Sequence, residues 1–117
     1  MDQEPKINIV KKENTAVIEI NGDVTTFAEK PINKAYESPA VAGSKNVLLK
    51  FSKESFINSA GIAIIIGLVN ESRKKKQEFA VCGLSGHFEK IFDMIGLTDY
   101  LTIYPSEDKA LKNFSAR

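Results

Sequence analysis

Cysteine and histidine are nearly absent from this chain, with one of each among 117 residues. A single cysteine cannot close an internal disulfide, and one histidine leaves no Cys/His set at zinc-ligand spacing. The expectation is a reducing, cytoplasmic setting with no metal and no cofactor. Neither sign of charge dominates: 16 Lys plus Arg stand against 15 Asp plus Glu, a formal net charge of +1. That balance offers no bulk attraction to nucleic acid or to acidic lipid. Long apolar runs are missing too. The longest, Ile62 to Val69 with Gly67 inside it, falls far short of the roughly 20 residues a membrane span requires. The start Met1-Asp2-Gln3-Glu4-Pro5 lacks the basic and then apolar pattern of a signal peptide. The glycines at 61, 67, 83, 86 and 96 match neither the dinucleotide fingerprint nor the P-loop. No repeat, low-complexity tract or linker interrupts the sequence, so residues 1–117 are expected to form one domain, long enough to bury a core without disulfides or a structural metal.

What is present is patterned. Ile7 and Ile9 alternate with polar residues, as do Ala16, Ile18 and Ile20 with Val17 and Glu19, which predicts two strands joined by a turn at Lys12-Glu13-Asn14. Asn21-Gly22-Asp23 ends the second. Ile32, Ala35 and Tyr36 have helical spacing within Phe27 to Tyr36, where Pro31 fits only the first turn and Pro39 is a stop. Asn46 to Phe51 is apolar on both faces, as a covered central strand is. A helix from Ile62 to Lys76 follows, with Arg73 to Lys76 at its negative end. Phe79 to Leu84 predicts a buried strand. Ser85 caps a third helix with Phe88, Ile91, Phe92 and Ile95 on one face and Gly96 as its stop. Leu101 to Tyr104 predicts a last strand, and Pro105-Ser106-Glu107-Asp108 opens a terminal helix burying Leu111 and Phe114. This order predicts an α/β fold: a mostly parallel or mixed sheet of about five strands with about four helices and an N-terminal antiparallel hairpin.

Most isolated reactive groups have bland readings. His87 reads as a solvated or capping side chain, because a general base also needs a nucleophile and an orienting group. Cys82 reads as a small buried hydrophobe. Arg73 to Lys76 reads as the basic end of a helix rather than a phosphate-binding patch, since no aromatics are interleaved. No paired acid and base can be named, so no catalytic residue and no enzyme is expected.

The turn Asn58-Ser59-Ala60-Gly61 is more informative. Asn58 or Ser59 is a helix N-cap. A phosphate added to a serine there would meet unpaired backbone N–H groups without unfolding the domain. Ser59, Ala63 and Gly67 form a stripe of small residues that either packs under a neighbouring helix or lets another backbone approach. Ile62, Ile65, Ile66 and Val69 are the expected core face. Ile64 and Leu68 widen the apolar sector, either against a flanking helix or as a docking patch.

Ile57-Asn58-Ser59-Ala60-Gly61-Ile62 resembles the Asp-Ser-Ser/Thr-Gly-Leu signature of anti-sigma factor antagonists in the STAS domain family. Phe92-Asp93-Met94-Ile95-Gly96-Leu97 is similar to that family's helix ending in a Gly-Leu pair, and Gly22-Asp23 also fits. The likeness covers about residues 7–114. It implies a partner switch in which the unmodified protein binds an anti-sigma factor that is itself a serine kinase, freeing a sigma factor for transcription. Ser59 occupies the family's phosphorylated position, and a metal-dependent serine phosphatase would reverse the modification. The implied contact surface comprises Asp23, Thr25, Asn58, Ser59, Ala60, Gly61, Ala63 and Gly67. Asn58 replaces the usual Asp, Ala60 the usual Ser or Thr, and Thr25 an acid that many relatives carry, so this surface is less acidic than theirs. No direct nucleic-acid contact and no membrane insertion are expected, and the protein would be a monomer or weak dimer. The competing readings are a non-switching scaffold or transporter-associated STAS module in which Ser59 is only a helix cap, and a module binding a nucleotide or small anion.

Overall fold

A computed structural model describes residues 4–115. Strands β1 (Lys6–Lys12) and β2 (Thr15–Asn21) form the expected antiparallel hairpin, pairing Lys12 with Thr15 and Lys6 with Asn21. β2, β3 (Asn46–Phe51), β4 (Glu78–Cys82) and β5 (Thr102–Tyr104) then run parallel, and the sheet order is β1-β2-β3-β4-β5. Each parallel strand lies beside its predecessor and every step goes the same way. Right-handed crossovers therefore put the connecting helices on one face. These are α1 (Glu29–Glu37), the short α2 (Pro39–Ala42), α3 (Ser59–Lys74) and α4 (Gly86–Met94). After β5 the chain turns to the other face as α5 (Glu107–Ser115).

Strand alternation sorts the core accordingly. Ala16, Ile18, Ile20, Val47, Leu49, Phe51, Phe79 and Val81 join the helices of the first face, while Val17, Leu48, Ala80 and Cys82 join Ala110 and Phe114 of α5 on the second. Pro39 both stops one helix and starts the next: Ser38 is extended between α1 and α2, and Pro39 takes the first turn of α2, where a missing N–H costs nothing. β4 ends at Cys82, earlier than expected, because Gly83 (φ +80°) passes so close to Phe51 that a Cβ would lie 2.0 Å from its carbonyl oxygen.

Three core assignments change. On α3 the buried face is Gly61, Ile64, Ile65, Leu68, Val69 and Ser72, whereas Ile62 is half-buried and Ile66 is 39% exposed. The helix begins earlier than its apolar run and is rotated so that Gly61, not Ile62, meets the sheet side. Ile64 and Leu68 are thus core residues rather than a docking patch. On α4, Phe88 and Phe92 are buried and Ile91 packs beside them, but Ile95 is half-exposed at the C-cap. Gly96, at φ +85°, reverses the chain there and Leu97 enters the core instead. On α5, Ala110 is fully buried with Phe114, and Leu111 only partly.

Candidate functional site

The loop after β2 and the segment before α3 are zipped together. Val24 N–H donates to Phe56 C=O (2.8 Å) and Asn58 N–H to Val24 C=O (3.2 Å), an isolated parallel bridge between Val24 and Ile57. Asp23 adds a third tie, its Oδ1 accepting from Phe56 N–H at 2.9 Å. Thr25 Oγ1 accepts from Phe27 N–H at 3.3 Å and caps a 3-10 turn, Thr26–Ala28, that leads into α1. Asp23 and Thr25 therefore act first as holders of the loop.

Asn58, not Ser59, is the N-cap of α3. Its Oδ1 accepts from Gly61 N–H at 2.9 Å and its carbonyl from Ile62 N–H at 2.9 Å. This removes the reading in which Ser59 serves as the cap. Ser59 is the first helical residue, exposed, and its hydroxyl makes no hydrogen bond among the described residues. The N–H groups of Ser59 and Ala60 are left at the open end of the helix, as helix geometry requires of first-turn donors.

Gly61 sets how closely the helix approaches. A Cβ on it would lie 2.1 Å from the Val24 carbonyl oxygen and 2.9 Å from Ile57 Cγ2, so no other residue fits without moving backbone. Ala63 and Gly67 lie further along α3 and are exposed, with nothing within 4 Å of a Cβ placed on Gly67. The small-residue stripe is thus not packed under a neighbour. With Ala60 and Ile64 it forms one wall of an open groove of about 290 Å³ whose other wall is Thr26, Glu29 and Asn33.

Two exposed aromatics flank this turn and escaped the sequence pattern: Phe27 is 54% and Phe56 55% exposed. Phe56 meets Phe88 edge-on at 6.0 Å, and His87 meets Phe88 at 5.0 Å. Their signal was faint: each opens its segment without falling on the apolar spacing that follows. The remaining candidates sit elsewhere. Cys82 is buried, and burial raises its thiol pKa to about 11. Within the basic end of α3, Arg73 covers the Tyr100 ring at 4.5 Å, Lys74 pairs with Glu71 at 3.2 Å, and Lys75 covers Tyr36 at 4.7 Å. Among the described residues no helix is long and apolar enough to cross a membrane, and no three His, Cys, Asp or Glu side chains group as metal ligands.

Comparison with known proteins agrees with this architecture. An anti-sigma-B factor antagonist of Listeria monocytogenes is 23% identical over 96 residues, covering 80% of this chain and 84% of that protein. The crystal structure of an anti-sigma factor antagonist from Mycobacterium paratuberculosis superposes with a TM-score of 0.80 at 16% identity, over 97% of this chain and 96% of that one. The phosphorylated form of the Bacillus cell fate determinant SpoIIAA superposes with a TM-score of 0.67 at 18% identity, over 94% and 98%. The profile of the STAS domain matches residues 6–110, and the chain belongs to that family.

Proposed function

We propose that this protein is an anti-sigma factor antagonist, that it binds an anti-sigma factor with serine kinase activity through the α3 N-terminal turn, and that phosphorylation of Ser59 ends the binding. The observation that carries the reading is the state of Ser59. Its hydroxyl is exposed and unengaged at the start of α3, while Asn58 does the capping. A phosphate can therefore be added without removing any contact the fold uses. The modification brings about −1.5 to −2 charges to a surface that close approach would desolvate, and a buried uncompensated charge opposes association. The turn keeps its shape through Asp23, Val24 and Gly61, so the change is one of charge and bulk.

In this reading Ala60, Ala63 and Gly67 give the partner backbone room to approach, and Phe27 and Phe56 add apolar area at the rim. Ser59 accepts a phosphate and catalyses nothing. A serine phosphatase resets the switch, and sigma-factor-dependent transcription is the output. The neutral Asn58 and Thr25 suit a partner less basic than those of relatives with acids there. The strand order supports this over a nucleotide-binding module: it never reverses among the parallel strands, so the crevice that open α/β sheets use for ligands does not form.

The test is incubation with ATP and serine kinases from the source cell, read by intact mass, with Ser59→Ala in parallel. One added phosphate, absent in Ser59→Ala, is expected. Ser59→Ala should keep wild-type affinity for the kinase, and Ser59→Asp should lose at least about tenfold, or roughly 1.4 kcal/mol. Equal affinities for wild type and both variants would overturn the switch.

A further inference from the structure

The second face of the sheet is built differently from the first. Its apolar strip is Val17, Leu48, Ala80 and Cys82, and among the described residues the helical side chains packed on it come from α5: Ala110, Phe114 and, in part, Leu111. The N-terminal end of α5 is fastened by charge. Glu107 pairs with Lys50 of β3 at 2.8 Å and with Lys12 of β1 at 3.1 Å, and Lys50 also faces Glu19 of β2 at 3.8 Å. Both lysine side chains are more than 40% exposed, at 42% and 48%, which limits what such pairs contribute. The linker from β5 is Pro105-Ser106, and the last residue of β5, Tyr104, meets Phe114 edge-on at 6.4 Å.

We propose that α5 is a lid that opens as a unit while the five-stranded sheet and its first-face helices stay folded, uncovering an apolar strip on the side of the sheet away from Ser59. Opening separates α5 from its buried contacts and from the Glu107 clasp. A nine-residue helix is too short to persist alone in water, so it gains chain entropy on release, which offsets part of the lost burial. The β-ladder is untouched, because α5 contributes no strand pairing. The opened strip lies between Lys12, Glu19 and Lys50. It does not overlap the Ser59 turn, so the lid is independent of the switch proposed above.

Cys82 makes the idea testable in the unaltered protein, since it is the sole cysteine of the chain and lies 1% exposed beneath α5. The experiment is labelling with a disulfide reagent such as DTNB across low urea concentrations, beside the global unfolding curve. Local opening exposes little area, so the labelling rate should rise far less steeply with urea than global unfolding does. Glu107→Gln should speed labelling roughly threefold to fivefold without urea, as should raising salt for the wild type, which screens the clasp. A Cys82→Ser, Ser72→Cys protein, with its thiol on the buried face of α3, should label only with the global slope. A wild-type labelling slope equal to that of global unfolding would overturn the lid, as would a rate that neither Glu107→Gln nor salt changes.

Discussion

Helices α3 and α5 rest on opposite faces of one sheet and are held by different physics. α3 runs for 16 residues, buries Gly61, Ile64, Ile65, Leu68, Val69 and Ser72, and seats its first turn against the Val24 carbonyl with no room for a methyl group. α5 has 9 residues, buries Ala110 and Phe114, and is fastened by Glu107 to Lys12 and Lys50. Apolar burial and steric fit respond little to salt or mild pH change, whereas partly exposed ion pairs respond to both. The face carrying Ser59 is therefore built to hold one shape, and the opposite face to yield first.

The strongest test of that contrast is Gly61→Ala. Its new methyl would collide with backbone at Val24, and overpacking of this kind costs about 3 kcal/mol or more where neither side can shift, which urea denaturation would register as a large fall in midpoint. Gly67→Ala is the matched control on the same helix. Nothing stands within 4 Å of its added methyl, so it should be neutral or stabilise by up to about 1 kcal/mol through helix propensity. Equal stability of the two variants would break the account of how α3 is seated.

Asn58 is the next lever. Asn58→Ala removes the acceptor for Gly61 N–H and should cost about 1 kcal/mol, the usual value of an N-cap. Asn58→Asp keeps the acceptor and adds a negative charge at the positive end of the helix, so at neutral pH it should match or exceed wild type by roughly 0.3–1 kcal/mol. The same pair sharpens the functional reading. Were Asn58→Ala to bind the kinase as well as wild type, the rigid turn would matter less to recognition than the Ser59 hydroxyl itself.

Much of this was legible because it is local. Alternation gave β1 and β2, the apolar block gave β3, and Ser85 and Gly96 marked both ends of α4. The turn carrying Ser59 was visible as a small-residue motif ahead of an apolar helix. Its rotation was not. Choosing Gly61, Ile64 and Leu68 over Ile62 and Ile66 as the buried face depends on a contact with Val24, which lies outside the helix and its own periodicity. Phe27 and Phe56 were missed because neither falls on the apolar spacing of the segment it opens. The α5 clasp was equally hidden: Lys12 and Glu107 are 95 residues apart, and nothing in either segment announces the other.

That clasp yields the smallest expected effect and the one that separates the two helices most cleanly. The hydrogen bond from Lys50, with further help from Lys12, holds the Glu107 carboxyl below its ordinary pKa, and the same bond to Glu107 raises the Lys50 ammonium above its own. A carboxylate with a depressed folded pKa contributes stability that is fully present above the unfolded value, about 4.3 for Glu, and is lost as pH falls through the folded value. An ammonium with a raised folded pKa contributes below the unfolded value, about 10.4 for Lys, and that contribution is lost as pH rises through the folded value. The clasp is thus complete between roughly pH 5 and 10 and fails at both ends. Glu107→Gln should cost about 0.5–1 kcal/mol at pH 7, and its difference from wild type should shrink toward zero in urea denaturation carried out below about pH 4. The bond that Asn58→Ala removes runs from the Gly61 N–H to the Asn58 amide oxygen, and neither group titrates. The deficit of Asn58→Ala should therefore stay level across the same acid range in which the deficit of Glu107→Gln disappears. If both fade together, acid loosens the whole fold at once, and the two faces of the sheet do not differ in the way their contacts imply.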